Sequence, residues 1–70
     1  MEPSRSTIRI AVDAMGGDYA PREVVQGCVA VAREMPQVDI TLVGDQQRIS
    51  AELWGVPLPA NIHIRPTSQV

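Results

Sequence analysis

A strand that breaks into a glycine turn and leads into a helix is the feature that most constrains the fold of this sequence. Residues 8–12 alternate between β-branched and other side chains, and this period of two predicts a β-strand. The alternation stops before two adjacent glycines, and an amphipathic segment begins near Pro21. The turn between them reads Asp13-Ala14-Met15-Gly16-Gly17-Asp18.

The segment after the turn is predicted to be a helix from about Pro21 to Met35. Proline suits the first helical position, Glu23 lies in the first turn, where negative charge complements the helix dipole, and Pro36 ends the pattern. Apolar residues at helical spacing form a stripe centred on Val24, Cys28, Val31 and Met35 and widened by Val25, Val29 and Ala32. Gly27 either marks close packing against a strand or is a tolerated weak point, since glycine costs about 1 kcal/mol relative to alanine inside a helix.

Two further strands and one further helix follow. Residues 39–43 form a short β-rich run before Gly44, and residues 61–65 alternate as a third strand. Between them, residues 46–54 are predicted to form a second helix, with Trp54 packed under the turn that follows. The order βαβαβ predicts the α/β class, as the start of a mostly parallel, doubly wound sheet in a three-layer sandwich. Because no helix follows the third strand, we expect a truncated domain that leaves apolar sheet surface exposed.

The residue types of the glycine turn suit the binding of a phosphate or an oxyanion. Gly16 and Gly17 permit positive φ angles and bring bare N–H groups close to a ligand, and the helix N-terminus adds partial positive charge. A simple phosphate cradle would avoid the carboxylates of Asp13 and Asp18. These aspartates therefore bind a protonated phosphate oxygen, orient a base or hold the turn itself. Asp13 is the stronger functional candidate, because a charge at the end of an apolar strand requires a hydrogen-bond partner or a ligand.

The other reactive side chains are assigned structural roles. Asp45 precedes a helical segment and is predicted to be its N-cap residue. His63 lies on an alternating strand beside Arg65 and is predicted to be solvated or packed rather than catalytic. Cys28 lies on the apolar stripe of the first helix, where a small thiol that fills the core is expected.

The amino-acid composition limits the classes of function that this chain can have. The chain has 70 residues, of which 44% are hydrophobic and 20% charged, so it forms at most one small globular unit. Its single cysteine can form no internal disulfide and no Cys/His metal spacing is present, so we expect a reducing, cytoplasmic setting and no metal. The net charge of −2 and the scattered basic residues argue against a nucleic-acid partner. Residues 1–7 are polar and are expected to form a flexible leader.

The glycine turn and its flanks resemble those of a known enzyme family. The run Ile10-Ala11-Val12-Asp13-Ala14-Met15-Gly16-Gly17-Asp18, followed by Pro21 and Val24-Val25-Gln26-Gly27, is similar to the opening of the PlsX phosphate acyltransferases of bacterial phospholipid synthesis. Ile40-Thr41-Leu42-Val43-Gly44-Asp45 is similar to the family's second strand, and Pro66-Thr67-Ser68-Gln69-Val70 to its next segment, where Gln69 replaces an acidic residue. The resemblance covers residues 8–70 and only the amino-terminal portion of the family, whose members are several times longer.

The resemblance implies that residues 8–70 are the amino-terminal part of an α/β acyltransferase domain. Family members transfer a fatty acyl group from acyl carrier protein to inorganic phosphate, giving an acyl phosphate for phospholipid synthesis, and no cofactor is expected. The resemblance makes Asp13 and Asp18 catalytic candidates and Gly16 and Gly17 phosphate-binding candidates. It further implies a cytoplasmic homodimer with peripheral membrane association, while the 70-residue segment alone is expected to be inactive.

Two other interpretations stay open from the residues alone. The βαβαβ order with a glycine turn also fits a nucleotide- or phosphate-binding module without acyl transfer activity. The dinucleotide fingerprint G-x-G-x-x-G is absent, however, and the charge of Asp18 would oppose a pyrophosphate. A non-catalytic protein-interaction fragment is the third interpretation, and only the short length favours it.

Overall fold

Three strands and two helices alternate along residues 8–67, which are the residues that the computed structural model describes. Their bounds are β1 Ile8–Asp13, α1 Arg22–Glu34, β2 Val38–Gly44, α2 Gln46–Leu53 and β3 Ile62–Pro66. The predicted α/β class and the βαβαβ order are confirmed. The predicted leader, residues 1–7, and the family-like residues 68–70 lie outside the described residues.

The three strands form one parallel sheet in which β2 lies between β1 and β3. Ile10 pairs with Ile40, which pairs with Ile62, so apolar side chains form rows across one face of the sheet. The same register places Asp13 opposite Val43 near the end of β2. All three strands therefore finish at the same edge of the sheet.

The core lies between the sheet and both helices, which pack on the same sheet face. Along β2, buried residues alternate with half-buried ones, as expected for a central strand that is covered on one face. The buried core consists of Ala14, Val25, Val29, Ala32, Val38, Ile40, Leu42, Ile49, Leu53 and Ile62. The described residues thus form one sheet and one helical layer.

The sheet face away from the helices is polar near the starts of the strands. On that face Arg9 lies beside Asp39 in the strand register, and His63 Nε2 lies 3.2 Å from Asp39 Oδ1. The exposed apolar surface that we predicted for the sheet lies instead on the edge strand β1, where Ile8 is 54% and Ile10 42% exposed. The reason is that α1 packs on β2 and β3 and leaves β1 largely uncovered.

The apolar stripe of α1 is centred differently from the prediction. Val25, Val29 and Ala32 are its buried residues, whereas Val31 and Met35 are each 44% exposed. The predicted centre was wrong because the apolar arc of this helix is wider than its contact with the rest of the fold. The side that carries Val25 faces β2, β3 and α2, and the other part of the arc remains open.

Three local predictions also change. Trp54 is 87% exposed rather than packed, because α2 ends at Leu53 and the backbone at Trp54 is extended. Apart from the helix's own backbone, no described atom lies within 4 Å of a β-carbon built on Gly27, so Gly27 is a tolerated weak point and not a site of close packing. Pro21 is the N-cap residue of α1 rather than its first helical residue.

Asn61 ties the end of α1 to the sheet, a role that the sequence patterns did not indicate. Its Nδ2 amide donates to the carbonyl oxygens of Ala32 at 3.0 Å, Met35 at 3.2 Å and Val38 at 2.7 Å. The first two carbonyls lie at the end of α1, where helix carbonyls lack intrahelical partners, and the third begins β2. One side chain therefore joins α1, β2 and the start of β3.

Candidate functional site

The ends of the three strands meet at one edge of the sheet, and the glycine turn follows the first of them. The Ala14 N–H donates to the Val43 carbonyl oxygen at 2.9 Å, and the Thr67 N–H donates to that of Gly44 at 3.0 Å. These bonds hold the segments that follow β1 and β3 against the end of β2. Ligand sites of open parallel α/β sheets form at this carboxyl edge.

The Asp13 carboxylate folds over the glycine turn. Its Oδ1 accepts a hydrogen bond from the Met15 N–H at 2.9 Å, and a β-carbon built on Gly16 would lie 3.5 Å from Oδ2. The prediction that this carboxylate has a fixed partner is confirmed, and the partner is a backbone N–H two residues along the chain. Asp13 is exposed, and no donor within residues 8–67 bonds its Oδ2, so this oxygen is accessible to a ligand.

Gly16 and Gly17 present bare backbone to solvent. Gly17 has a φ of 101°, in the left-handed region that favours glycine, whereas Gly16 does not, so the prediction of positive φ angles holds for Gly17 alone. Both residues are exposed, and neither N–H makes a hydrogen bond of standard geometry within residues 8–67. Exposed backbone N–H groups in a turn that also carries a carboxylate suit an anion that itself carries a proton.

Asp18 stands apart from this arrangement. The N-cap residue of α1 is Pro21, and no side chain caps the first N–H groups of that helix, so Asp18 is not a helix cap. Residues 18–21 separate Gly17 from the start of α1 at Arg22, so the glycine turn is not the first turn of the helix. The structure therefore brings Asp13 and Gly16 together, whereas no other described atom lies within 4 Å of a β-carbon built on Gly17, and Asp18 has no hydrogen-bond partner among residues 8–67.

Gly44 is a site residue that the sequence patterns did not single out. A β-carbon built on it would lie 2.7 Å from Met15 Cγ and 2.9 Å from Met15 Sδ, distances that real β-carbons do not show. Gly44 is buried, and Met15 packs half-buried against the core. Only glycine lets the Met15 side chain fold across the end of β2, so this contact supports the base of the turn. The available signal was a glycine at the end of an apolar strand.

Asp45 caps α2, as predicted. Its Oδ1 accepts hydrogen bonds from the N–H groups of Gln47 at 2.9 Å and Arg48 at 3.1 Å. These bonds occupy donors that would otherwise give α2 an anion-binding end. A cleft of about 480 Å³ lies beside this cap and is lined by residues 45–47, 66 and 67.

A second cleft, of about 510 Å³, opens beside the glycine turn. Its polar members are Asp13 and Thr67. Its other lining residues are apolar, namely Ala11, Val12, Met15, Val43 and Gly44. Ligand sites of about 300 to 1,000 Å³ commonly combine apolar walls with a few polar groups. Thr67 lines both clefts and is a second residue of this edge that the sequence motifs did not single out.

His63 and Cys28 take no part in this edge. The His63 side chain is 52% exposed on the sheet face away from the helices, where it contacts Asp39, so it is solvated as predicted. Cys28 is half-buried against the core, and this burial raises the pKa of its thiol above the usual value. A thiol with a raised pKa stays protonated near neutral pH and is a poor nucleophile, which agrees with the predicted core-filling role.

Metal-binding clusters and membrane-crossing helices are both absent from residues 8–67. No group of three or more His, Cys, Asp or Glu side chains in this range is arranged to hold a metal ion. Neither α1 nor α2 combines the length and the apolar character that crossing a membrane requires.

Comparison with known proteins identifies the family. The sequence model of the family described as "Fatty acid synthesis protein" matches residues 8–70. The chain belongs to this family. Curated relatives named phosphate acyltransferase include proteins of Brevibacillus brevis and Moorella thermoacetica, which are 49% and 52% identical to the chain over 63 residues. The relative from Gloeothece citriformis is 46% identical over 65 residues.

These matches cover most of the chain and a small part of each relative. The Brevibacillus and Moorella proteins match 90% of the chain and the Gloeothece protein 93%. The chain spans 18% of the length of these curated relatives. The resemblance to the phosphate acyltransferases that the sequence predicts is therefore confirmed.

Proposed function

We propose that the complete protein is a phosphate acyltransferase that transfers a fatty acyl group from acyl carrier protein to inorganic phosphate. The product would be an acyl phosphate for phospholipid synthesis. One observation carries the proposal, namely the exposed backbone of Gly16 and Gly17 in the turn over which the Asp13 carboxylate folds, at the carboxyl edge of the sheet. The name shared by the curated relatives supports it.

The reaction requires a held nucleophile and a stabilised carbonyl oxygen. A phosphate oxygen forms a bond to the thioester carbonyl carbon, the carbon–sulfur bond breaks with its electron pair going to sulfur, and the departing thiolate takes up the proton that the hydrogen phosphate releases. Donors can hold the phosphate in line or stabilise the charge that develops on the carbonyl oxygen. We assign the Gly16 and Gly17 N–H groups to the phosphate, because the adjacent Asp13 carboxylate would repel an unprotonated oxyanion.

Asp13 is proposed to orient the phosphate. Its Oδ1 is engaged by the Met15 N–H, which fixes the carboxylate, while Oδ2 lies toward Gly16 and is accessible. A P–OH group of the bound phosphate would donate a hydrogen bond to Oδ2, which turns another phosphate oxygen toward the thioester and raises its nucleophilicity. Asp18 is proposed as a second orienting carboxylate, on the strength of the family resemblance.

The proposal also covers the partners and the cellular location of the protein, and for these it is supported by the family resemblance. The substrates would be an acyl carrier protein thioester and inorganic phosphate, and no cofactor takes part. The complete protein would act as a homodimer in the cytoplasm, with peripheral association at the membrane through regions outside residues 8–67. Residues 1–70 by themselves would be inactive, since they would supply the proposed phosphate site but only one part of a transferase.

Acyl phosphate formation by the complete protein tests this function. Asp13→Asn keeps an Oδ1 acceptor for the Met15 N–H but removes the carboxylate charge, so kcat/KM for phosphate should fall by about 100-fold or more with little change in melting temperature. Asp45→Asn is the matched control, because asparagine caps helices about as well as aspartate and should leave the rate within about twofold.

Two results would contradict this account. Wild-type kinetics in the Asp13→Asn variant would remove Asp13 from the mechanism, and a loss of stability that parallels the loss of activity would make its role structural. Phosphate binding by a wild-type protein that forms no acyl phosphate would favour the alternative, a phosphate-binding α/β module without transfer activity.

A further inference from the structure

The walls of the cleft beside the glycine turn are mostly apolar and offer little binding energy to inorganic phosphate. Ala11, Val12 and Val43 present carbon atoms to it, and Met15 adds a flexible thioether chain. Phosphate gains nothing from such walls, whereas methylene groups gain free energy when they leave water. The volume of about 510 Å³ lies in the range of small-molecule sites.

The apolar cleft and the glycine turn share two residues. Asp13 lines the cleft while its carboxylate lies over Gly16, and Met15 belongs both to the turn and to the apolar wall. Asp13 and Met15 therefore join the cleft to the turn, so a ligand with an anionic head at the turn and an apolar chain in the cleft would contact both. We propose that the cleft binds the part of a fatty acyl chain that lies next to its carbonyl group. This inference rests on the proposed function and adds to it the position of the acyl group.

The wall is held in place by contacts already described. Met15 is seated against Gly44, where any side chain would displace it. Ala11 is exposed and pairs with Thr41 of β2, so it lies on the sheet face away from the helices and the core. A larger side chain at Ala11 would enter the cleft and leave the core packing unchanged. Ala11 is therefore the position at which the volume of the cleft can be reduced.

Calorimetric titration of the complete protein with two alkyl phosphates separates the head from the chain. Ethyl phosphate carries the anionic head with a minimal chain, and decyl phosphate, used below its micelle concentration, adds a long chain. Decyl phosphate should bind about tenfold more tightly or better, and Ala11→Leu should abolish this preference while the affinity for ethyl phosphate is unchanged. Ala51→Leu makes the same change at an exposed position of α2 and should alter neither affinity.

Each proposal can fail separately in this experiment. Equal affinities of the wild-type protein for the two phosphates, or an undiminished preference in Ala11→Leu, would overturn the acyl cleft. If Ala11→Leu also loses affinity for ethyl phosphate, the Val43→Ala variant decides whether the cleft binds the chain. Removal of wall carbons should reduce the preference for decyl phosphate about threefold, and an unchanged preference would contradict the acyl cleft. If decyl phosphate binds and responds to Ala11→Leu while ethyl phosphate does not bind, the cleft stands and the phosphate site fails.

Discussion

Three aspartates near the carboxyl edge of the sheet occupy three different environments. The Asp45 carboxylate accepts two backbone N–H bonds and caps a helix, whereas that of Asp13 accepts one and keeps an accessible oxygen. Asp18 is exposed and has no hydrogen-bond partner among residues 8–67. Sequence position before a helix was enough to identify Asp45 as a cap. Position at the end of an apolar strand also favoured Asp13 over Asp18, but the bond from the Met15 N–H to the Asp13 carboxylate depends on the path of the turn.

The contact between Gly44 and Met15 gives a prediction about stability. Gly44→Ala would place a methyl carbon 2.7 Å from Met15 Cγ, so we expect it to lower the unfolding free energy of the complete protein by about 1–3 kcal/mol. Met15→Ala removes the obstruction, so the same substitution should cost less in that background, and denaturant unfolding of the double-mutant cycle measures the difference. Gly27→Ala is the control, because its exposed helical site should gain about 0.5–1 kcal/mol. Equal stability of Gly44→Ala and wild type would refute the contact.

At the scale of elements, helix α1 has some properties that its own sequence determines and others that the rest of the fold determines. Its length and period follow from the flanking prolines and the apolar spacing, and both were predictable. The choice between a buried side with Val25 and Val29 and one with Val31 and Met35 is not local. It is made by the contacts of α1 with β2, β3 and α2, which a helical period cannot reveal.

The candidate site likewise combines residues that the local sequence identifies with residues that only the fold brings to the site. The glycine turn is one continuous segment, so its residue types predict an anion site from the sequence alone. Gly44 and Thr67 follow other strands, and only the parallel register places them beside Asp13. Motif spacing therefore could not predict the apolar cleft, although the patterns correctly assign Ala11, Val12 and Val43 to strands.

The link between α1 and the sheet through Asn61 gives a prediction at this scale. Asn61→Ala removes the donor to three carbonyl oxygens at the end of α1 and the start of β2, so the unfolding free energy should fall by about 1–3 kcal/mol. Gln37→Ala, at an exposed position in the same connection, should change it by less than about 0.5 kcal/mol. Thermal melts of the two variants make the comparison, and a similar effect from both would show that the Asn61 bonds contribute nothing specific.

At the scale of the whole molecule, the edge strand carries an apolar surface that predicts how the segment behaves alone. Ile8 and Ile10 on β1, with Val31 and Met35 on α1, remain between 42% and 54% exposed. Below about 80 residues a single core rarely supplies more than a few kcal/mol, so residues 1–70 alone should self-associate or unfold gradually. Sedimentation and thermal unfolding at micromolar concentration are the measurements. A monomer with a sharp, cooperative melt would contradict the prediction.

The central claim is that the complete protein holds inorganic phosphate on the N–H groups of Gly16 and Gly17. Titration of phosphate into the isotope-labelled protein, followed by amide ¹H–¹⁵N NMR, tests it most directly. The account predicts saturable shifts of both amide resonances, while Gly27 and Gly55, which are exposed elsewhere in the fold, stay unmoved. Unshifted Gly16 and Gly17 resonances at a phosphate concentration that supports acyl phosphate formation would contradict it.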